Sequence, residues 1–321
     1  MKEVPFRKLS FDDQLVRYKE NQSKKQEKLF INISEKIESI YDIIDNGFPK
    51  GYEPCILETK DMLRYHLGSL QVITGYSAHG KSHYIEQILC GLMCQHKLKI
   101  GYYAAEAQTF LTFQRAIEII NCSKIVNLNK EIVKATAEFL QNKMYVVNSD
   151  DGLLNQEKLF NHINVAFDQE GVDFFLIDNA STIEDLATDD KGGIRNFLNQ
   201  LKLITKTHKK TIIVVAHPTK PMGPTILIDG YKISGAAEWF NLVDVGLTVY
   251  RDYQKNVTTI FNWKTKNYWE GLQGMSIDIN FDSNTRRFGL DQSPMLRFAP
   301  AKHQIPVVSI DTSDFGDDPP F

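Results

Sequence analysis

The sequence has few cysteines, no long apolar run, no apolar leader and no surplus of positive charge. Each absence excludes something. Cys55, Cys90, Cys94 and Cys122 are scattered through 321 residues, so a disulfide framework is not expected and a reduced, cytoplasmic protein is. Cys90 and Cys94 fall one helical turn apart, a spacing open to metal binding but more simply that of two small buried helix residues. No stretch reaches the ~18 consecutive apolar residues that would suggest a membrane span. The start, "MKEVPFRKLSFDDQ", lacks the apolar core of a secretory signal. The formal net charge is −3. The molecule as a whole is therefore not drawn to polyanions, and a nucleic-acid site would have to be a local patch.

What is present is an ordinary globular balance, 42% hydrophobic and 24% charged residues. That is enough for one large domain or two small ones. Residues 1–45 read as a charged arm ("RYKENQSKKQEK") and a linker helix. In that helix Ile37, Ile40, Tyr41 and Ile44 share one face, and Asn46-Gly47 supplies the stop. Residues 46–298 read as one α/β domain. Strand-length apolar runs at 70–74, 99–105, 143–148, 172–178 and 211–217 alternate with helix-period segments at 81–95, 110–121, 129–142, 155–169 and 192–208. Three further runs, at 245–251, 257–263 and 275–281, have short connections. The pattern predicts a mostly parallel twisted sheet with helices on both faces and an antiparallel edge or hairpin. Residues 299–321 turn to Pro and Asp and read as a disordered acidic tail.

One motif carries chemistry by itself. "GYSAHGKS", residues 75–82, follows the first strand of the series and precedes its first helix. It fits G-x-x-x-x-G-K-[ST], a loop that cradles phosphates. Gly75 and Gly80 permit the tight turn, and Tyr76, Ser77, Ala78 and His79 complete the cradle, with no catalytic role assigned to His79. Lys81 would reach the β- and γ-phosphates of ATP, Ser82 would ligate Mg²⁺, and the helix dipole would favour the anion. The same Mg²⁺ needs a carboxylate at the end of a buried strand. Asp178, closing "VDFFLID", supplies it, or else caps a loop. Asn179 follows and cannot take a proton, so the base that activates water must come from elsewhere. Glu106, at the end of "KIGYYAAEAQ", would face the γ-phosphate if its strand neighbours the phosphate-loop strand. Otherwise it is a surface Glu at a helix start.

With these residues in place, the chain from about 44 to 290 resembles the hexameric replicative helicases of the DnaB and Twinkle type, particularly the helicase half of phage primase–helicases, which have a RecA-like core. "YYAAEAQTFLTFQRA" resembles the segment carrying the catalytic Glu, with Arg115 nine residues on. "TIIVVAHPTK" resembles the strand ending in a γ-phosphate sensor, here His217. "YKISGAAEWFNLVDVGLTVYRD" resembles the DNA-loop motif, with Gly235 and Asp244. "NWKTKNYWEGLQG" resembles the hairpin that reaches a neighbouring subunit's nucleotide. There the family usually has Lys-x-Arg, and this chain has Lys264-Thr265-Lys266, a point charge in place of a bidentate fork. A Gln common in the DNA-loop motif is replaced by Asn241.

The resemblance implies an ATP-driven 5′–3′ helicase that translocates on single-stranded DNA as a ring. As a departure from the family, the first 45 residues are too few for a primase half, so a motor without a primase domain of its own is expected. The resemblance also implies self-association into a hexamer, with the linker helix docked on the adjacent subunit; the other possibility is that the helix folds back on its own core. Two loops would meet DNA, one with Lys191 and Arg195, the other with Lys220, Lys232 and Gly235. The tail "DFGDDPPF", with Asp314, Asp317, Asp318 and Phe321, resembles the acidic hooks that bind replisome proteins: a polymerase, a primase or a single-stranded-DNA-binding protein. Two other readings stay open: a RecA- or RadA-like recombination filament, and a non-unwinding loader or scaffold.

Overall fold

The computed structural model describes residues 30–187, 190–219, 228–235 and 237–296. After a capped 3-10 turn, helix α1 (Ile37–Asn46) ends at Gly47, whose φ of 76° favours glycine. No residue of α1 is buried, and Ile40, Tyr41 and Ile44 are all exposed. The helix therefore does not fold back onto its own core.

The domain proper opens with β1 (Leu70–Thr74), every residue of it buried. There follow α2 (Lys81–His96), β2 (Ile100–Ala104), α3 (Thr109–Asn121), α4 (Lys130–Gln141), β3 (Met144–Val146), α5 (Gln156–Asp168), β4 (Phe174–Asp178), α6 (Lys191–His208) and β5 (Thr211–Ala216). Asn129, Asn155 and Asp190 cap α4, α5 and α6 by accepting from backbone N–H groups of the first turn. The short α7 (Ala237–Leu242) leads into β6 (Val245–Asp252), β7 (Val257–Thr265) and β8 (Ser276–Ile279).

These strands form one sheet in the order β3-β2-β4-β5-β1-β6-β7-β8. It is parallel from β3 to β6 and antiparallel from β6 to β8. One core packs α2, α3 and α4 on one face, and a second packs α5, α6 and α7 on the other. Parallel strands buried on both sides explain the near-continuous apolar runs in the sequence. All the parallel strands point their carboxyl ends at one edge, where loops of α/β sheets gather ligands.

Two expectations are corrected. The strand carrying Glu106, β2, does not neighbour β1: it lies between β3 and β4, and β5 separates β4 from β1. The run at 275–281 also breaks at Asn280. β9 (Phe281–Asp282) instead pairs with β10 (Arg287–Phe288) as a small separate ribbon. Gln87 of α2 holds that ribbon, donating to the Phe288 carbonyl at 2.9 Å and accepting from its N–H at 2.6 Å.

Candidate functional site

The phosphate loop joins β1 to α2. At Gly75, φ is 147°, and a Cβ would lie 2.2 Å from the Val249 carbonyl oxygen, so β6 leaves no room for a side chain. Gly80, at φ 91°, caps α2. The loop is tied to the end of β6 at two points. The Tyr253 hydroxyl donates to the Ala78 carbonyl at 2.8 Å, and the Arg251 N–H donates to His79 Nδ1 at 2.9 Å. Burial, with Lys81 and Arg251 nearby, lowers the His79 pKa, which suits an imidazole acting as an acceptor. His79 thus fastens the loop, a role the sequence did not suggest.

Lys81 is buried, and its Nζ donates to the Tyr76 carbonyl at 2.9 Å. Burial pulls its pKa down, while Asp178 and Glu106 pull it up. Asp178 ends β4, buried, and its carboxyl is pushed up by that burial, against the opposing pull of the Ser82 hydroxyl that hydrogen-bonds to it. A hydroxyl and a carboxylate at the mouth of an anion cradle are hard oxygen donors, a set that fits Mg²⁺. Ser82 and Asp178 are the residues that would hold it.

Glu106, Asn179 and His217 follow three adjacent strands, β2, β4 and β5, and meet at the sheet edge. The Asn179 amide nitrogen donates both to Glu106 Oε1 and to His217 Nε2, the latter at 2.9 Å. Its carbonyl oxygen accepts from the Ser181 N–H at 3.0 Å, which fixes which way the amide points. His217 Nε2 is therefore an acceptor, and the ring is neutral. Burial and Lys81 lower its pKa, in keeping with that. At 3.7 Å, His217 and Glu106 are neighbours rather than an ion pair. The sequence marked Asn179 only as unable to take a proton; its bridging of Glu106 and His217 depends on strand order, which no local pattern encodes.

Behind the loop, Glu86 lies one turn beyond Ser82 on α2 and pairs with Arg115 of α3 at 2.9 Å. Burial pushes its carboxyl up to about 7, with Arg115 pulling back. A charged residue among Ile85, Ile88 and Leu89 was the available signal for it.

Lys264 and Lys266 lie at the far end of the sheet. Thr265 registers with Val245, and Gln71, near the start of β1, also registers with Val245, whereas the phosphate loop leaves β1 after Thr74. Within one chain these lysines do not reach the loop. Lys264 Nζ donates to the Phe240 carbonyl and lies 5.2 Å from the centre of the Phe240 ring. Lys266 approaches Asp244 at 3.4 Å, and its N–H donates to the Asp244 carbonyl at 2.9 Å. Asp244 also accepts from the Leu70 N–H and from Lys202, both at 3.0 Å.

Of the DNA-facing candidates, Lys191 and Arg195 are exposed on the first turns of α6 rather than in a loop. The Gly192 and Gly193 N–H groups are already donated to Asp190. Lys232 is exposed on a 3-10 turn, and Gly235 follows at φ 81°. A bridge between Pro218 and Ile233 draws the ends of that loop together. Lys220 and the tail residues Asp314, Asp317, Asp318 and Phe321 lie outside the described residues. Cys90 is buried in α2 and Cys94 half-buried. Among the described residues no helix is long and apolar enough to cross a membrane.

No family model matches the sequence, and no curated protein matches it. Solved structures do match the fold. One, a helicase ATPase domain, superposes with a TM-score of 0.64 at 14% identity, covering 81% of this chain and 99% of that one. Another, a DnaB-like replicative helicase described with its interactions with primase, gives 0.63 at 13% identity, covering 87% of this chain and 71% of that one. The chain has the RecA-like fold of the DnaB-type helicase ATPase domain.

Proposed function

We propose that the protein is an ATP-driven replicative DNA helicase that works as a ring oligomer on single-stranded DNA. The observation that carries this reading is the cluster of Glu106, Asn179 and His217 at the same sheet edge as Lys81, Ser82 and Asp178. Lys81 binds the β- and γ-phosphates, and Ser82 and Asp178 hold the Mg²⁺ that neutralises their charge. Glu106 takes a proton from the attacking water. The water oxygen bonds to the γ-phosphorus, the bond from phosphorus to the bridging oxygen breaks, and ADP leaves with that electron pair. Asn179 holds Glu106 beside His217, and loss of the γ-phosphate at His217 is passed directly to the loop that begins at the next residue, Pro218.

Lys264 and Lys266 complete a different subunit's site, because they stand at the opposite end of the sheet from their own. That requires an oligomer. The exposed apolar face of α1 is the docking element that such an assembly would cover. DNA is held by Lys191, Arg195, Lys220, Lys232 and the turn at Gly235, through phosphates and without sequence preference. The arm and linker (1–45), the motor (46–298) and the acidic tail (299–321) divide the labour, the tail serving replisome partners. The deciding experiment measures ATP turnover with and without single-stranded DNA, beside size-exclusion chromatography with nucleotide. DNA-stimulated turnover by a nucleotide-dependent oligomer is expected. A chain that neither hydrolyses ATP nor assembles refutes the reading, and a helical filament in electron micrographs would favour a recombination ATPase.

A further inference from the structure

The hairpin between β7 and β8 carries Lys266 and has two supports. Midway along its loop, residues 62–64 hydrogen-bond to it: the Arg64 N–H donates to the Glu270 carbonyl at 2.8 Å, and the Leu272 N–H donates to the Met62 carbonyl at 2.9 Å. Beside that contact an open cleft of about 340 Å³ lies between residues 60–64 and 268–272. The second support comes from the linker. Gly47 alone separates the end of α1 from Phe48. The Phe48 ring lies flat on Trp269, with centroids 4.0 Å apart and planes 6° from parallel. Tyr268 stands edge-on to both, at 5.5 Å from Phe48 and 5.1 Å from Trp269. Such stacked and edge-to-face pairs have a preferred geometry, so they transmit position as well as burying area.

Two elements with separate tasks are thereby joined. The apolar face of α1 has no buried residue and faces outward, while Lys266 lies only three residues before Trp269. We propose that Phe48 is a positioning residue: through its stack on Trp269 the linker helix sets the placement of the hairpin that presents Lys266 to the neighbouring subunit. This rests on the reading that Lys266 acts across an interface. Displacement of α1 by its docking partner moves Phe48, and the hairpin moves with it. Gly47, at φ 76°, is the only residue between the helix and the ring, so a shift of the helix end reaches Phe48 across a single link.

The test uses the full chain and its Phe48→Ala, Phe48→Tyr, Lys266→Ala and doubly substituted Phe48→Ala/Lys266→Ala variants. Hydrogen exchange of residues 266–272 and DNA-stimulated ATP turnover are measured on each. Phe48→Ala should speed exchange in the hairpin and lower kcat by roughly threefold to tenfold, the range such an aromatic pair supports. The KM for ATP should stay unchanged, because the subunit's own loop is untouched. Phe48→Tyr should restore both readouts, and the double variant should be no slower than Lys266→Ala. Unchanged exchange in Phe48→Ala overturns the proposal. So does unchanged kcat in Phe48→Ala when Lys266→Ala is slow. If Lys266→Ala turns over normally, the reading of that lysine fails, and the hairpin exchange alone then decides whether Phe48 positions it.

Discussion

Lys81 is the side chain whose loss should be simplest to interpret. It is buried with its ammonium on the Tyr76 carbonyl, and no core packing depends on that contact. Lys81→Ala should therefore abolish ATP turnover while leaving the circular dichroism spectrum and melting temperature close to those of the parent. Glu106→Gln should keep nucleotide binding, read by a fluorescent analogue, and lose hydrolysis by about 10²-fold or more, as a missing general base does. The hydrogen bonds of Asn179 extend this. Asn179→Ala removes the donor shared by Glu106 and His217, so kcat should fall although 179 itself never exchanges a proton. Normal turnover in that variant would show that the cluster is not part of the chemistry. Glu86 gives a pH signature. Its carboxyl stays protonated up to about 7 in the folded chain, against an ordinary value of 4.5. Between those values the folded state holds the extra proton. Stability therefore falls as pH rises through the window, and the contribution is gone above about 7. Glu86→Gln should flatten that part of a plot of denaturation midpoint against pH.

At the scale of elements, the hairpin is the place to look for action between subunits. Lys266→Ala should lower DNA-stimulated turnover by about tenfold or more, and Lys266→Arg should preserve or raise it, because guanidinium offers a fork where ammonium offers a point. Mixing Lys266→Ala with Glu106→Gln subunits should restore part of the activity, and no recovery at any ratio would place the lysine outside the neighbour's site. The strands and helices of the sheet were legible in the sequence to within a few residues. The reason is physical: β1, β4 and β5 are buried on both sides and are apolar along most of their length, and Asn or Asp caps open three of the helices. The phosphate loop was legible because its glycines and lysine are local. Strand order was not, which is why the place of Glu106 was left to hang on whether β2 neighbours β1; β2 stands two strands further off. The β9–β10 ribbon was also missed, since strands of two residues carry no periodicity. Likewise, Lys191 and Arg195 read as loop residues in the sequence, whereas Asp190 caps α6 ahead of both.

For the whole molecule, the prediction concerns which parts can be removed. Residues 311–321 lie outside the described residues and carry four aspartates with no basic residue among them. Their deletion should leave turnover and oligomer size unchanged. It should weaken pull-down of a polymerase, primase or single-stranded-DNA-binding protein, and the binding that is lost should be salt-sensitive in the parent chain. If deletion instead abolishes ATPase activity, the tail belongs to the motor. Asp244 shows the opposite kind of economy. One carboxylate receives the N–H that opens β1 and the ammonium of Lys266. The strand that ends in the phosphate cradle and the lysine of the hairpin therefore share an anchor. A change at 244 is felt at two places at once, the opening of β1 and the hairpin that carries Lys266. Arginine at 266 would keep that shared tether, whereas any neutral residue at 244 would release the start of β1 and the hairpin lysine together.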